Sequence, residues 1–335
     1  MSAIAIVGAT GAVGRTMVSI LEQRDFPVTS LRLMASSRSA GAEVDTKWGT
    51  VTIEDLDQAD PSGLDIAMYS AGGDRSRAHA PRFAEAGVVV VDNSSAFRMR
   101  DGVPLVVVDV NDHAIAGHSN IIANPNCTTM NVMMAAGPLH SAFGLTSMVV
   151  SSYQAVSGSG HQGTAELVRQ NEALGKDPDA LVSGEWIDPG SEVYTRPIAW
   201  NVLPFAGSLG EQGYTDEEWK LVFESRKILD LGGLAVEPTC VRVPVIAGHG
   251  IAATMRFAQA VDVAEAAAVL EAAPGLELWA DETPTALDSA GRDEVLAGRL
   301  RPTIGEPGGL NVWVVGDNLR KGAALNAVQI AEALL

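Results

Sequence analysis

Short apolar runs alternate with helical patterns through the first third of the chain. The helical patterns cover residues 14–24 and 74–87, and the apolar runs, bounded by Gly, Asp, Asn or Ser, lie at residues 3–7, 31–35, 66–70, 88–91, 105–108 and 121–123. Uninterrupted apolar runs are typical of strands that a parallel sheet buries on both faces. The alternation therefore predicts an α/β domain with a doubly wound, Rossmann-type sheet.

The pattern changes after residue 128, where longer segments punctuated by Gly and Pro begin. Candidate edge or antiparallel strands at 148–154, 236–245 and 254–260 favour a second domain of α+β character. Residues 176–213 are rich in Pro, Gly, Trp and Asp, and they carry the aromatic residues Trp186, Tyr194 and Trp200. We expect this segment to be an ordered excursion over the surface.

The last part of the chain again has a strand pattern followed by a helical pattern. A strand pattern at 310–315 precedes a helical pattern at 321–335, and we expect the terminal helix to pack on the first domain. The sequence thus predicts a first domain of residues 1–128 completed by 312–335, and a second domain of residues 129–311.

The composition is both acidic and apolar. Because 23 Lys and Arg oppose 41 Asp and Glu, the formal net charge is −18, and 47% of the residues are hydrophobic. This balance leaves no basic footprint for nucleic acid or anionic lipid, and it supplies a large core. No run approaches ~18 apolar residues, and no basic segment precedes the first strand, so we expect neither a membrane span nor an export signal. We expect a cytoplasmic protein with Cys127 and Cys240 reduced.

A glycine-rich turn follows the first strand directly and opens the first helix. It reads Gly8-Ala9-Thr10-Gly11-Ala12-Val13-Gly14. Glycines let the backbone approach a pyrophosphate, whose charge the N–H groups and dipole of the helix then stabilise. Such glycines also form simple tight turns, so the context between a strand and a helix gives the motif its weight.

The end of the second strand indicates which dinucleotide this turn suits. NAD-binding sheets place an acidic residue there for the ribose hydroxyls. This chain instead has Ser36-Ser37-Arg38-Ser39. A cation among hydroxyl groups suits a 2′-phosphate, so the sequence favours NADP(H) over NAD. The alternative is that Arg38 is an ordinary solvated arginine.

Cys127 lies where an apolar strand ends and a helical pattern at 130–140 begins. The start of a helix lowers the pKa of a thiol and favours the reactive thiolate, which makes Cys127 a candidate nucleophile. Cys240 lies within an apolar strand pattern and fits the buried structural role that is common for cysteine.

Arg242 and His249 follow one another in the second domain. An arginine within an apolar strand is costly unless it binds an anion, and a substrate carboxylate would account for it. His249 stands between two glycines just beyond that strand. A histidine with a pKa near neutrality suits acid/base work in thiol chemistry.

Seven motifs resemble the aspartate-semialdehyde dehydrogenase family over essentially the whole chain. They are GATGAVG at 8–14, SSRSAG at 36–41, VDNSSAFR at 91–98, NPNCT at 124–128, YQAVSGSG at 153–160, TCVRVP at 239–244 with His249, and DNLRKGA at 317–323. The resemblance implies an NADP-dependent, phosphorylating aldehyde dehydrogenase that reduces aspartyl phosphate to aspartate semialdehyde in lysine, threonine and methionine biosynthesis. It also implies a catalytic and dimerisation domain, in a homodimer or a dimer of dimers.

The resemblance assigns roles to individual residues. Cys127 is the expected nucleophile that forms a thioester, His249 the acid/base, and Gln154 the residue that orients the substrate. The expected ligands are Arg242 for the α-carboxylate, Glu217 for the amino group, and Arg98 with Lys220 for phosphate. Expected cofactor contacts are Gly8, Thr10, Gly11, Ala12, Val13, Gly14, Ser36, Arg38 and Ser39, with Ser157, Gly158 and Asn318 at the nicotinamide end; no metal site is expected.

Two alternatives stay open, and the chain departs mildly from the family pattern. Residues 215–218 have the pattern of a capping box, so Glu217 and Lys220 could be only an ion pair on a first helical turn. An N-acetylglutamyl-phosphate reductase would share the thiol and cofactor chemistry, although Glu217 would then lack an ammonium partner. Gly250 stands where the family frequently has serine, and Val108-Asp109 replaces the usual Pro-Glu.

Overall fold

Two β-sheets organise residues 2–335, the part of the chain that the computed structural model describes. Each sheet belongs to one of two units. The first unit contains the chain up to Pro138 together with Phe223–Gly233 and Leu319–Leu335, and the second contains Leu139–Val222 and Leu234–Asn318. Within residues 2–335, no helix has the length and apolar character that crossing a membrane requires.

The first unit contains a seven-stranded sheet. Its strands are β1 (Ser2–Val7), β2 (Val28–Ala35), β3 (Glu43–Thr46), β4 (Gly49–Asp55), β5 (Ile66–Tyr69), β6 (Val89–Asp92) and β7 (Ile121–Ala123). They lie in the order β3-β4-β2-β1-β5-β6-β7, and every neighbouring pair is parallel except β3 with β4. This confirms the predicted doubly wound α/β sheet. The hairpin of β3 and β4 is polar and was not predicted.

Helices α1 (Ala12–Gln23), α2 (Gly73–Glu85) and α9 (Leu325–Ala333) belong to the first unit, and α3 (Cys127–Phe143) begins in it. Ile4 and Ile6 of β1 are fully buried and belong to one hydrophobic cluster with Met17 of α1 and Val328 of α9. Burial on both faces explains why the apolar runs of this sheet are continuous.

The predicted strand at 105–108 is wrong. Only Leu105 forms an isolated bridge, to Ala123. The Val106 N–H still donates to the Ala123 carbonyl oxygen (3.1 Å). The two N–H groups that follow bind side chains instead: that of Val107 donates to Asn111 Oδ1 (2.8 Å) and that of Val108 to Asn326 Oδ1 (2.9 Å). Because the amides of Val107 and Val108 pair outside the sheet, this apolar run does not form a strand.

The second unit contains a mixed six-stranded sheet. Its strands are β8 (Leu145–Gln154), β9 (Ala235–Arg242), β10 (His249–Phe257), β11 (Leu276–Trp279), β12 (Val295–Pro302) and β13 (Leu310–Gly316). Their order is β11-β12-β13-β10-β8-β9, with β8–β9 and β11–β12 parallel and the others antiparallel. The helices of this part are α4 (Gly160–Leu174), α5 (Pro178–Ser183), α6 (Asp216–Ile228, of which Phe223 onward belongs to the first unit), α7 (Val263–Glu271) and α8 (Ala286–Ser289).

Three predicted strands in this unit have the wrong bounds. β8 begins at Leu145 rather than at 148. β9 ends at Arg242 rather than at 245, and β10 runs over His249–Phe257 rather than 254–260. His249 is therefore the first residue of a strand, paired with Gly316, and does not lie in a loop. Glycine has low strand propensity, so Gly248 and Gly250 concealed the start of β10.

Gly250 has a packing reason to lack a side chain. A Cβ at this position would overlap the Trp313 ring of the neighbouring strand. Trp313 is in turn held at 5.7 Å from the ring of Tyr153 and by a hydrogen bond from its Nε1 to the Pro284 carbonyl oxygen (2.9 Å). Moving the Trp313 ring would therefore cost free energy. Glycine replaces the serine that is frequent in the family at residue 250 because Trp313 fills the space of a side chain.

Replacing Gly250 with Ser should destabilise the protein by about 1–3 kcal/mol, because the new side chain overpacks against Trp313. Urea unfolding measures this free energy. Gly305→Ser is the matched control, since a Cβ there meets nothing within 4 Å, and it should be close to neutral. Trp313→Phe in the Gly250→Ser background should recover part of the loss. Equal stability of Gly250→Ser and the parent protein would contradict this explanation.

Candidate active site and dinucleotide pocket

A cavity of about 440 Å³ lies in the first unit beside the carboxyl ends of β1, β2 and β5. Six of the predicted cofactor residues line it: Gly8, Thr10, Gly11, Ser36, Arg38 and Ser39. The remaining wall is formed by Ala35, Leu56, Ser70, Ala71 and Arg75. The crevice beyond the carboxyl ends of parallel strands is where sheets of this kind bind ligands.

The backbone of the glycine turn fits a pyrophosphate. Gly8 has a φ of +89°, and a Cβ there would overlap the Ser70 carbonyl, while a Cβ on Gly14 would overlap the carbonyl of Gly8. Helix α1 begins after Gly11 with no side-chain cap from the described residues and no acid in its first turn, which holds Ala12, Val13 and Gly14. Its first N–H groups and dipole are therefore available to an anion.

Arg75 is a lining residue that the sequence analysis missed. It lies in the first turn of α2, on the β5 side of the cavity, whereas Arg38 lies on the β2 side. Arg77, two residues on, is paired with Asp74 (2.5 Å). Within residues 2–335, neither Arg38 nor Arg75 is paired with a carboxylate. The available signal was a cation two residues after the Gly72-Gly73 pair in the connection between β5 and α2.

Cys127 is half-buried and is the first residue of α3. The turn before it is fixed by Asn126, whose Oδ1 accepts hydrogen bonds from the N–H groups of Thr128 (2.9 Å) and Thr129 (3.3 Å). The N–H of Asn126 itself donates to Glu224 Oε2 (2.7 Å). The thiol thus stands at a rigid helix start, as the sequence predicted.

Arg98 is buried beside the same turn and is held by three partners. Its Nη1 pairs with Glu224 Oε1 (3.0 Å), its Nε donates to the Asn124 carbonyl oxygen (2.9 Å), and its Nη2 to that of Asn93 (3.2 Å). Glu224 is 2% exposed and bridges Arg98 to the backbone before Cys127. Nothing in the pattern of α6 distinguished this glutamate from a surface acid, so the sequence analysis missed it.

Arg242 ends β9 in the second unit and is only 6% exposed. Its Nη1 donates to the Ala155 carbonyl oxygen (2.7 Å). Among the described residues, its Nε has no hydrogen-bond partner and no carboxylate pairs with it. A buried guanidinium left in this state is a site for an anion.

His249 is fully buried, and its Nδ1 accepts a hydrogen bond from the Ala155 N–H (3.1 Å). Burial, and then the charge of Arg242, lower the pKa of His249 to about 3. The imidazole is therefore neutral at pH 7 with its proton on Nε2, contrary to the expected pKa near neutrality. Nε2 has no partner within residues 2–335, and a Cβ on Gly158 would lie 3.4 Å from it and 3.0 Å from Arg242 Nη1.

The other predicted residues of the second unit fall into two groups. Gln154 ends β8 directly opposite Arg242 and is 1% exposed. Asn318 Nδ2 donates to Ser157 Oγ (2.9 Å), and Asn318 Oδ1 accepts from the Gly248 N–H (3.0 Å). The structure thus brings Gln154, Ser157 and Asn318 together with Arg242, His249 and Gly158.

Glu217 and Lys220 form the second group, at the start of α6. The capping box is present: the Thr215 N–H donates to Glu218 Oε2 (2.7 Å) and the Glu218 N–H to Thr215 Oγ1 (3.3 Å). Lys220 Nζ pairs with Glu217 (2.6 Å) and Asp216 (2.7 Å). Burial acts to lower the pKa of Lys220, but these carboxylates outweigh it and raise the pKa overall. Their contacts thus match the alternative in which Glu217 and Lys220 form an ion pair at a helix start. Their contribution to binding the substrate and phosphate stays a prediction.

Cys240 differs sharply from Cys127. It is buried in β9, and burial raises the pKa of its thiol to about 12. Its N–H donates to Glu218 Oε1 (2.9 Å). The thiol of Cys240 is therefore protonated and inert at neutral pH. Among residues 2–335, no cluster of His, Cys, Asp and Glu is arranged to hold a metal ion.

Comparison with known proteins identifies the class. Residues 3–118 match the family model of the semialdehyde dehydrogenase NAD binding domain, and residues 137–321 match that of the semialdehyde dehydrogenase dimerisation domain. The two domains and the thiol at a helix start define a semialdehyde dehydrogenase.

Full-length relatives narrow the class. The chain is 53% identical to the aspartate-semialdehyde dehydrogenase of Streptomyces akiyoshiensis, over 98% of this chain and 97% of that one, and 49% identical to that of Mycolicibacterium smegmatis, over 99% and 98%. Aspartate semialdehyde dehydrogenase II of Vibrio cholerae, solved in complex with ASA, superposes with a TM-score of 0.94 at 43% identity, covering 100% of this chain and 98% of that one. The chain belongs to the aspartate-semialdehyde dehydrogenase family, which confirms the resemblance seen in its motifs.

The buried neutral state of His249 predicts a specific loss of stability in acid. Because the folded-state pKa is about 3 and the ordinary value is 6.5, the unfolded chain binds the proton first as pH falls. This residue should therefore cost about 2 kcal/mol of unfolding free energy between pH 7 and pH 5. His249→Asn, which keeps an acceptor for the Ala155 N–H but does not titrate, should lose less over that interval in urea titrations. Identical pH dependence in both proteins would contradict the assigned state.

Proposed function

We propose that this protein is an NADP-dependent aspartate-semialdehyde dehydrogenase that interconverts aspartyl phosphate with aspartate semialdehyde and inorganic phosphate, in lysine, threonine and methionine biosynthesis. Family membership supports the assignment. The observation that carries it is the buried Arg242, with which no carboxylate of residues 2–335 pairs, beside a neutral His249 and next to Gly158, which has no side chain. These groups offer an anion site next to a proton donor, as a carboxylate-bearing acyl substrate requires.

Cys127 is the proposed nucleophile. Its thiolate forms a bond to the acyl carbon, the bond from that carbon to the phosphate oxygen breaks, and inorganic phosphate leaves with the electron pair. The product is a thioester on Cys127. NADPH, when bound, supplies the hydride that reduces this thioester. His249 donates its Nε2 proton to the hemithioacetal oxygen and takes that proton back as the C–S bond breaks, which releases the aldehyde and the Cys127 thiolate.

The proposed substrate contacts follow the charges. Arg242 binds the α-carboxylate, Gln154 orients the acyl group, and Glu217 accepts from the ammonium. Lys220 and Arg98 bind the phosphate. Since Lys220 is already paired with Asp216 and Arg98 with Glu224, each would share its donors between a protein carboxylate and the phosphate. A guanidinium has five N–H donors, and three of those on Arg98 are used.

The proposed cofactor is NADP(H). Its pyrophosphate lies on Gly8, Thr10, Gly11 and the first turn Ala12–Gly14, and Ser36, Arg38 and Ser39 bind the 2′-phosphate. Arg75 adds a second cation to this cavity. Ser157, Gly158 and Asn318 would hold the nicotinamide end. We also propose a cytoplasmic location, where the Cys127 thiol stays reduced, and a homodimer formed through the second domain, residues 129–311.

Phosphate-dependent reduction of NADP by aspartate semialdehyde, followed as absorbance of NADPH, tests the activity. Replacing Cys127 with Ala should lower turnover by more than about a thousand-fold while NADPH binding persists. Cys240→Ala is the matched control and should retain turnover, because its thiol is protonated and buried. Turnover of N-acetylglutamate semialdehyde without turnover of aspartate semialdehyde would transfer the protein to the related reductase class.

Cofactor preference depends on Arg38 and Arg75. Replacing Arg38 with Ala should weaken NADPH binding roughly ten- to a hundred-fold, as expected for a charged hydrogen bond, and leave NADH binding nearly unchanged. Arg75→Ala should have a smaller effect of the same kind, about three- to ten-fold. Arg77→Ala, on the same helix turn but paired with Asp74, is the control. Fluorescence titration of both reduced cofactors measures the constants, and an unchanged NADPH-to-NADH ratio in Arg38→Ala would reject it as the 2′-phosphate ligand.

A further inference from the structure

Helix α4 anchors part of the 176–213 segment with two buried polar side chains. Glu166 Oε2 accepts hydrogen bonds from the N–H groups of Glu192 (2.9 Å) and Val193 (2.7 Å). One turn later, Gln170 Oε1 accepts from the N–H of Ile198 (2.8 Å), and its Nε2 donates to the Gly190 carbonyl oxygen (2.7 Å). A segment with little regular structure is thus fixed at residues 190–199 by an i,i+4 pair on one helix face.

The residue placed between these anchors is Tyr194. The Arg242 guanidinium carbon lies 6.0 Å from the centre of the Tyr194 ring. The phenol oxygen lies 3.4 Å from the Val156 carbonyl oxygen, to which it donates. Its space is reserved by Gly163, because a Cβ there would come within 2.5 Å of the phenol oxygen. The ring is therefore confined on several sides while its face is turned toward the buried cation.

We propose that Tyr194 is a positioning residue that holds the Arg242 guanidinium in the orientation needed to bind the substrate carboxylate. Within residues 2–335, the Arg242 guanidinium makes one hydrogen bond, from Nη1 to the Ala155 carbonyl oxygen, and a single hydrogen bond leaves the plane of the group free to turn. The π face of a tyrosine attracts a guanidinium without using any of its N–H donors. The donors of Arg242 other than the tethered one thus stay available to a carboxylate. The proposal rests on the proposed role of Arg242.

A purely structural role for Tyr194 makes a different prediction. The ring also packs against the hydrophobic cluster that contains Val156, Leu167 and Ile198. If packing were its only contribution, removing the ring would loosen the whole region and reduce turnover at every substrate concentration. A positioning role acts through Arg242 alone, so it affects the substrate that carries the carboxylate and spares the phosphate.

The test compares Tyr194→Leu and Tyr194→Phe in the intact enzyme. Tyr194→Leu should raise KM for aspartate semialdehyde roughly two- to thirty-fold, the span of a cation–π contact between exposed and desolvated settings. Its KM for phosphate and its kcat should stay within about two-fold of the parent protein. Tyr194→Phe keeps the ring face and should retain KM for aspartate semialdehyde within about two-fold. Val193→Ala, at the neighbouring exposed position, is the control and should match the parent enzyme.

Several outcomes would overturn the proposal. A parallel change in both KM values, or a fall in kcat alone, would make Tyr194 a packing residue. A loss in Tyr194→Phe equal to that in Tyr194→Leu would assign the effect to the hydroxyl group. Arg242→Lys separates this proposal from the one beneath it: if Arg242→Lys leaves KM for aspartate semialdehyde unchanged, the carboxylate role itself fails. If Arg242→Lys raises that KM and Tyr194→Leu does not, only the role of Tyr194 is wrong.

Discussion

The burial of the Arg242 guanidinium, which pairs with no carboxylate among residues 2–335, is the constraint on which the candidate site of the second unit depends. A lone charge removed from water is expensive, and here it is stabilised by the Ala155 carbonyl and by the face of Tyr194. The same charge, added to complete burial, keeps His249 neutral. The backbone of Ala155 contacts both residues, since its carbonyl accepts from Arg242 and its N–H donates to His249. This one residue therefore orients the guanidinium, sets the tautomer of the histidine and holds the two side chains close together.

In the first unit, close backbone approach is the corresponding constraint. Gly8 and Gly14 allow the turn after β1 to pack against β5 and against itself, which leaves the start of α1 open to an anion. Elsewhere in this unit, Glu224 and Arg98 form a buried pair that is hydrogen-bonded to the turn before Cys127. Breaking such a pair leaves a buried charge without compensation, so the position of the thiol depends on both residues.

Sequence analysis predicted those parts of the fold and site that local chemistry determines. Continuous apolar runs and the glycine turn indicated the doubly wound sheet, and the motif around Cys127 indicated a helix start. The errors arose where long-range pairing decides the outcome. Asn111 and Asn326 accept hydrogen bonds from the amides of Val107 and Val108, which therefore do not pair within the sheet, and glycines concealed the start of β10. The burial of His249 cannot be predicted from its neighbours in the sequence. The positions of Arg75, Glu224 and Tyr194 beside the candidate sites cannot be predicted either, because these residues come from distant segments.

The proposed mechanism depends on a thioester between Cys127 and the substrate. Mass analysis of the protein after incubation with NADP and aspartate semialdehyde, in the absence of phosphate, tests this directly. We expect an acyl group on the peptide that contains Cys127 and none on the peptide that contains Cys240. Addition of phosphate should remove the acyl group from Cys127. An unmodified Cys127 accompanied by formation of NADPH, or an acyl group on Cys240, would contradict it.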